Sequence, residues 1–296
     1  MSNLQKTLES GNFAITAELA PPKGCDFSHQ LECAELLKEC VTAVNVTDFQ
    51  SSSLKASSLG MVIKLKEMGV EPILQMTGRD RSRMAIQGDI LAAAAFGVEN
   101  VLALTGDHTK VGDDPNSKPV FDLDSVGILQ ACKALSEGHD MGGNALSGEA
   151  PKLYTGAIVT PEYDPLELQL IKLKKKVASG AKYIQTQGIY DLEHFKAFMQ
   201  EVKRLGINAH IMAGIIPLKN AGMAKYMNKN VPGINVPDSM IQRLTEVGKE
   251  NAANEGIKIA AELVKQIKEE RICDGVHIMA IGAEENVPVI LKEAGL

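Results

Sequence analysis

The chain of 296 residues reads as an α/β protein, a closed (β/α)8 barrel with extra helices before the last strand. Three observations predict this. Short apolar runs alternate with helical stretches from end to end, which implies parallel strands. Helical stretches close on glycine, as at Gly69, Gly97 and Gly180, where a C-cap favours it. Eight such units fill the length without a composition break, so residues 1–296 are expected to form one barrel domain. An open doubly wound sheet is the alternative, and the count of units favours the barrel.

The first strand is expected at Phe13–Leu19, ended by Ala20-Pro21-Pro22, because proline lacks an N–H and cannot continue a central strand. Helical spacing covers Phe27–Cys40, with Ser28 as a candidate cap. A strand at Thr42–Thr47 leads into a polar loop from Asp48 to Ser53, then a helix over Leu54–Met68. Glu71–Met76 is the third strand and Ser82–Phe96 the helix after it. Val101–Leu104 is a buried strand that stops at Thr105-Gly106-Asp107, where glycine lets the backbone turn tightly. The loop His108–Pro119 is long enough for a lid or binding loop, and His108 reads as part of it. A helix at Leu123–Ser136 and a glycine-rich excursion over Glu137–Lys152 follow. Next come strand Tyr154–Val159, the basic helix Leu166–Ser179, strand Lys182–Gln187, helix Leu192–Leu205 and strand Ile207–Ala213. Three helices, at Lys219–Asn228, Asp238–Val247 and Lys249–Arg271, precede a last strand at Val276–Ile281 and a last helix at Glu284–Glu293.

Bulk properties narrow the function. A net charge of −6 lacks the surplus of a nucleic-acid binder. No stretch approaches the length of an apolar membrane span, and Met1–Lys6 has no apolar signal region, so we expect a cytoplasmic protein. The five cysteines are odd in number and none lie at CxxC spacing, which reads as reduced thiols with no metal. With no Trp and 4% aromatics, stacking surfaces for a planar ligand must be largely aliphatic.

In such a barrel the residues after each strand gather at one face, where ligands bind. Here they are Glu18, Thr47 with Asp48, Gln75, Thr105-Gly106-Asp107, Thr160 with Glu162, and Gln187. The set lacks the His, Asp and Glu cluster of a metal hydrolase. Glu18 ends an apolar strand, where burial would raise its pKa and make it a general acid near neutral pH. The alternative is a rim glutamate paired with Arg79 or Arg81. Asp107 at a strand end reads as functional, with a helix cap or loop stabiliser as the alternative. Gln185 and Gln187 share a strand face and ask for partners, either a heterocycle or a core network. Lys175 and Lys176 could neutralise a phosphate, against the plainer reading of a solvated helix face.

These residues also resemble a known family, the methylenetetrahydrofolate reductases, which are flavin-dependent barrels of one-carbon metabolism. The resemblance runs from about Ile15 to Gly282. It rests on Ala17-Glu18-Leu19-Ala20-Pro21-Pro22, Val44-Asn45-Val46-Thr47, Leu104-Thr105-Gly106-Asp107, Leu173-Lys174-Lys175-Lys176-Val177, Thr186-Gln187 and Gly214-Ile215-Ile216-Pro217, in this order and spacing. The form is most similar to the reductases of acetogenic and related anaerobes, in which Gln-Thr-Gln, Asn-Val-Pro-Gly-Ile and Asp-Gly-Val-His-Ile-Met occur.

The resemblance implies roles. Glu18 matches the general acid that helps open the bridged folate to a 5-iminium cation. Asp107 matches an aspartate that contacts pterin and flavin, and Gln187 the pterin-binding glutamine. Thr47, Asp48, Gln50, Gln75, Thr105, Gly106, Asp107, Leu123 and Thr160 fall at flavin-contact positions, and Lys175 and Lys176 at the flavin phosphates. The implied reaction is hydride transfer from flavin to the methylene carbon, giving 5-methyltetrahydrofolate.

The chain departs from the family pattern in places. Thr105 stands where arginine is common, and Gln75 where histidine is. Gln169 and Lys172 replace an acid and an asparagine near the adenosine half of the flavin. FAD is the family's usual flavin, and these changes leave FMN as the alternative. Met223, Met227 and Gly282 stand where a nicotinamide dinucleotide is gripped. Electrons are therefore expected through a partner subunit, a small cysteine-rich zinc protein, in an oligomer or hetero-complex. Two other readings stay open: a methyltransferase barrel that binds methyltetrahydrofolate without flavin, and a non-catalytic barrel subunit of a larger complex.

Overall fold

A computed structural model describes all residues from Met1 to Leu296. Eight parallel strands close in sequence order, the first pairing with the last to complete the barrel. The first helix, α1 (Asn3–Glu9), precedes strand β1 (Ala14–Leu19). Then come α2 (Ser28–Lys38), β2 (Ala43–Val46), α3 (Ser58–Glu67), β3 (Pro72–Thr77) and α4 (Arg83–Ala95). Strand β4 (Asn100–Leu104), α5 (Ser125–Ser136), β5 (Tyr154–Val159), α6 (Leu166–Ala178), β6 (Tyr183–Gly188) and α7 (Leu192–Arg204) follow. After β7 (His210–Ile215) three helices intervene, α8 (Ala221–Asn230), α9 (Asp238–Glu246) and α10 (Gly248–Glu269), before β8 (Gly275–Ile278) and α11 (Asn286–Glu293). No helix is long and apolar enough to cross a membrane.

The barrel wall is buried on both sides, so its strands read as apolar runs. Outside it, Leu37, Leu65, Ile90, Leu129, Phe195 and Val264 pack helices against strands in the main core. Inside, a separate apolar layer at the amino-terminal end holds Ala14, Ala43, Ile73, Leu102, Tyr154, Tyr183 and Met212. Tyr154 and Tyr183 stack there with ring centroids 5.4 Å apart. Gly156 makes this arrangement possible, because a Cβ at that position would enter the Tyr183 ring.

Helix α1 plugs this layer with Leu4 and Leu8, both fully buried. The sequence reading does not anticipate it. Seven residues with two apolar positions carry too little periodicity to announce a helix. Tertiary burial stabilises it instead, at about 1.5–3 kcal/mol for each leucine.

Several boundaries also differ from expectation. Helix α3 starts at Ser58 rather than Leu54, because Ser57 caps it by accepting from the Leu59 N–H. Ser28 is the first residue of α2 rather than its cap, and its hydroxyl donates to Asp26. Helix α5 starts two positions after Leu123, capped by Asp124 through the Gly127 N–H.

Candidate active site

The carboxyl ends of the strands form a mouth with a polar wall. Parity within each strand decides which side chains enter it. Thr16 and Glu18 on β1, Asn45 on β2, Gln75 on β3, Gln185 and Gln187 on β6, and His277 on β8 take part.

One layer is a closed network. Asn45 Nδ2 donates to Gln185 Oε1 at 2.8 Å, and Gln185 Nε2 donates back to Asn45 Oδ1 and onward to Thr16 Oγ1, each at 3.1 Å. Thr16 Oγ1 lies 2.9 Å from His277 Nδ1. The other ring nitrogen of His277, Nε2, faces Glu18 Oε1 at 3.8 Å.

Glu18 thus sits at the head of a buried chain of polar groups. Gln75 Nε2 donates to its Oε1 at 3.1 Å, and Gln50 Nε2 lies 3.5 Å from Oε2. The pairing of Glu18 with Arg79 or Arg81, the alternative the sequence leaves open, does not occur. Arg79 is held by Asp80 and by the backbone carbonyls of Phe49 and Asp107, and Arg81 by Asp48 and Asp89.

Two cavities share Glu18. The inner one, about 170 Å³, brings Glu18, Gln75, Thr160 and Gln187 together over an apolar floor of Leu102, Leu104, Ile158 and Met279. Gln187 Oε1 accepts only from the Gly188 N–H, at 3.1 Å, so its amide N–H groups have no partner within the protein. The outer cavity, about 390 Å³, adds Thr47, Gln50, Lys55 and His29 between the loops after β1, β2 and β8. Thr47 Oγ1 is buried there without any hydrogen-bond partner. Such an orphaned atom is what a ligand's polar edge would satisfy.

Other expected residues stand elsewhere. Asp107 is exposed and outside the wall of the inner cavity; its carboxylate has no hydrogen bond, and its backbone carbonyl accepts from Arg79 Nη1 at 3.2 Å. Gly106 before it has φ +88°, and a Cβ would press on Thr77 and Arg79. Thr105 Oγ1 accepts from the Ser125 N–H at 3.2 Å and so ties β4 to α5. Leu123 packs beside Gly78 and Gly127 at the same junction. Asp48 is wholly buried, and its carboxylate is consumed internally by Ser58, Thr77 and both terminal nitrogens of Arg81. Lys175 is exposed. Lys176 instead folds back, with Nζ on the Ile158 carbonyl at 2.7 Å. Burial, with Lys172 beside it, pulls the Lys176 pKa down to about 8.

Loops after β1, β2 and β4 interlock above the mouth. Asp113 takes Lys23 Nζ at 2.5 Å and the Leu54 N–H at 3.0 Å. Five non-glycine residues with left-handed backbone, Phe49, Ser51, Ser52, Phe121 and Ile281, lie in the strand-end loops. Strain concentrated at one face marks that face as the working one.

His277, Thr16 and Asn45 are the site residues that sequence reasoning missed. The available signal was parity: His277 stands two residues before Met279 on a strand otherwise apolar, so it had to face inward.

Fold and mouth together define a (β/α)8 barrel with a polar, amide-rich site at the carboxyl ends of its strands. The chain belongs to the methylenetetrahydrofolate reductase family, whose model, described as "Methylenetetrahydrofolate reductase", matches residues 3–295. Relatives include methylenetetrahydrofolate reductase (NADH) 1 of Arabidopsis thaliana, 25% identical over the whole chain and 50% of that protein. Another is the 5,10-methylenetetrahydrofolate reductase of Salmonella typhimurium, 24% identical over 97% of this chain and 92% of its own. The chain spans between about a third and a half of the eukaryotic relatives from Caenorhabditis elegans, Schizosaccharomyces pombe and Arabidopsis thaliana that it matches. Among solved structures, a Clostridium thermocellum protein described as binding two copies of 5-methyl-5,6,7,8-tetrahydrofolic acid superposes with a TM-score of 0.63 at 15% identity, over 99% of this chain and 98% of that one. A 2,3-dimethylmalate lyase shares the fold at a TM-score of 0.54 and 9% identity, over 100% of this chain and 86% of that one.

Proposed function

We propose that this chain reduces 5,10-methylenetetrahydrofolate to 5-methyltetrahydrofolate with a bound flavin. The observation that carries the reading is the inner cavity, where Glu18 and Gln187 share one wall above an aliphatic floor. The free Gln187 amide suits the donor and acceptor edge of a pterin. Glu18 supplies the proton that opens the bridged ring; Gln75 donates to it, and His277 stands 3.8 Å behind it. Gln187 orients the ring, and Asp107 adds a negative charge at the rim.

The residues fit a flavin. Thr47 offers an unpartnered hydroxyl, and Leu102, Leu104 and Ile158 offer flat apolar contact in a chain without tryptophan. Thr47, Gln50, Gln75, Thr105, Gly106 and Thr160 would hold it, with Lys175 and Lys176 at its phosphates. When bound, it supplies the hydride for the methylene carbon. FAD is the first expectation and FMN the second. Met223, Met227 and Gly282 offer little to a nicotinamide dinucleotide, so electrons arrive through a partner subunit, a cysteine-rich zinc protein, in an oligomer or hetero-complex within the cytoplasm.

An absorption spectrum of the purified chain, with chromatography of the released chromophore, tests this. Flavin bands at about one flavin per chain are expected for one such site. A colourless protein that takes up no added flavin yet binds methyltetrahydrofolate would replace the reading with the methyltransferase.

A further inference from the structure

We infer that a cationic cavity beside the mouth, formed by Lys219, Lys225 and Lys249, receives the anionic γ-glutamyl tail of a polyglutamylated folate. This deepens the proposed function and rests on it.

The cavity, of about 620 Å³, lies between the start of α8 and the junction of α9 with α10. Its size is in the range of small-ligand sites. Three lysines line it and no acidic residue does. That is unusual in a chain whose net charge is −6. Lys225 and Lys249 have no carboxylate oxygen within 4.0 Å: Glu255 and Glu262 hold Arg243, Glu246 accepts from Gln242, and Glu250, next to Lys249 in the chain, does not line the cavity.

Backbone polarity has the same sign. Asn220 caps α8 by accepting from the Met223 N–H, which leaves the Ala221 and Gly222 N–H groups in the cavity wall without an intrahelical partner. Leu244 and Ala252 form an apolar floor.

The cavity is joined to the catalytic mouth. Lys219 lies in the loop after β7, four residues beyond Ile215, and donates from Nζ to the Ile281 carbonyl at 2.8 Å. Ile281 and Gly282 line the outer cavity that Glu18 also lines. A ligand whose ring sits at Glu18 and Gln187 can therefore leave the mouth over the β8 loop and meet the lysines. A chain of carboxylates matches a site with three cations, two free N–H groups and no competing acid.

The test compares binding of mono- and triglutamyl 5-methyltetrahydrofolate to the purified chain by titration calorimetry. Wild type should favour the triglutamate roughly tenfold, the sum of two exposed ion pairs. The preference should shrink as salt is raised. It should vanish in Lys225→Ala/Lys249→Ala, with monoglutamate affinity unchanged, and survive in Lys225→Arg/Lys249→Arg. Equal affinities in wild type, or a preference that persists in the alanine pair, would overturn the inference. A fluorescently labelled, free γ-linked triglutamate separates the two failures. Binding that depends on Lys225 and Lys249 upholds the cavity even where monoglutamyl folate fails to bind and the proposed function falls. Absent or lysine-independent binding of the peptide rejects the cavity.

Discussion

His277 Nε2 faces Glu18 Oε1 at 3.8 Å across the closure between β8 and β1, and its other ring nitrogen rests on Thr16. A histidine thus stands behind the acid, and Thr16 ties that histidine to a network reaching to Asn45. Under the proposed function Glu18→Gln lowers methylenetetrahydrofolate reduction by roughly 10²–10⁴-fold. It should leave flavin content and thermal stability near wild type, since glutamine can still accept from Gln75. His277→Ala should instead cost stability, about 1–3 kcal/mol, by leaving buried Thr16 and Gln185 with an incomplete network. Full reductase activity in the Glu18 variant would remove Glu18 from the chemistry.

Asp48 and Arg81 form a buried ion pair, with Oδ2 2.6 Å from Nη1 and the Asp48 side chain 0% exposed. Asp48→Asn should cost about 3–5 kcal/mol in urea unfolding, because it removes the carboxylate charge facing both terminal nitrogens of a buried guanidinium and leaves it only Asp89. The double variant Asp48→Asn/Arg81→Met should cost less than the two single changes summed, and a double-mutant cycle measures the difference. Simple additivity would mean that the pair is not coupled.

Glu162 is a buried carboxyl in the loop after β5. Its side chain is 5% exposed, Oε1 has no partner, and the His194 ring lies 3.9 Å from Oε2. Burial pushes its pKa up, His194 pulls it down and Asp191 adds to the rise. An acid whose folded pKa is raised binds its proton more tightly when folded. Its contribution to stability is complete below the unfolded value, near ~4.3, and is lost as pH rises through the folded value. Glu162→Gln cannot ionise, so it should gain stability relative to wild type between pH 4 and pH 7. Melting curves at both pH values check this, and a wild-type advantage that grows with pH would contradict the assignment.

The strands and several strand-end residues were legible from the sequence, because period-two and helical patterns are local and survive without knowledge of contacts. Glu18, Gln75, Thr160 and Gln187 are strand-end residues, and strand ends can be counted along a chain. Pairings across the barrel could not be read in this way. That Arg81 takes Asp48 rather than Glu18, that His277 stands behind Glu18, and that α1 plugs the barrel all depend on closure between β1 and β8. A buried polar group chooses its partner by distance in the folded state, and a helix as short as α1 owes its stability to the layer it covers rather than to its own turns. Local patterning thus announces the barrel and some of the strand-end residues at its mouth, whereas the partners of those side chains are set by distances that exist only once the barrel has closed.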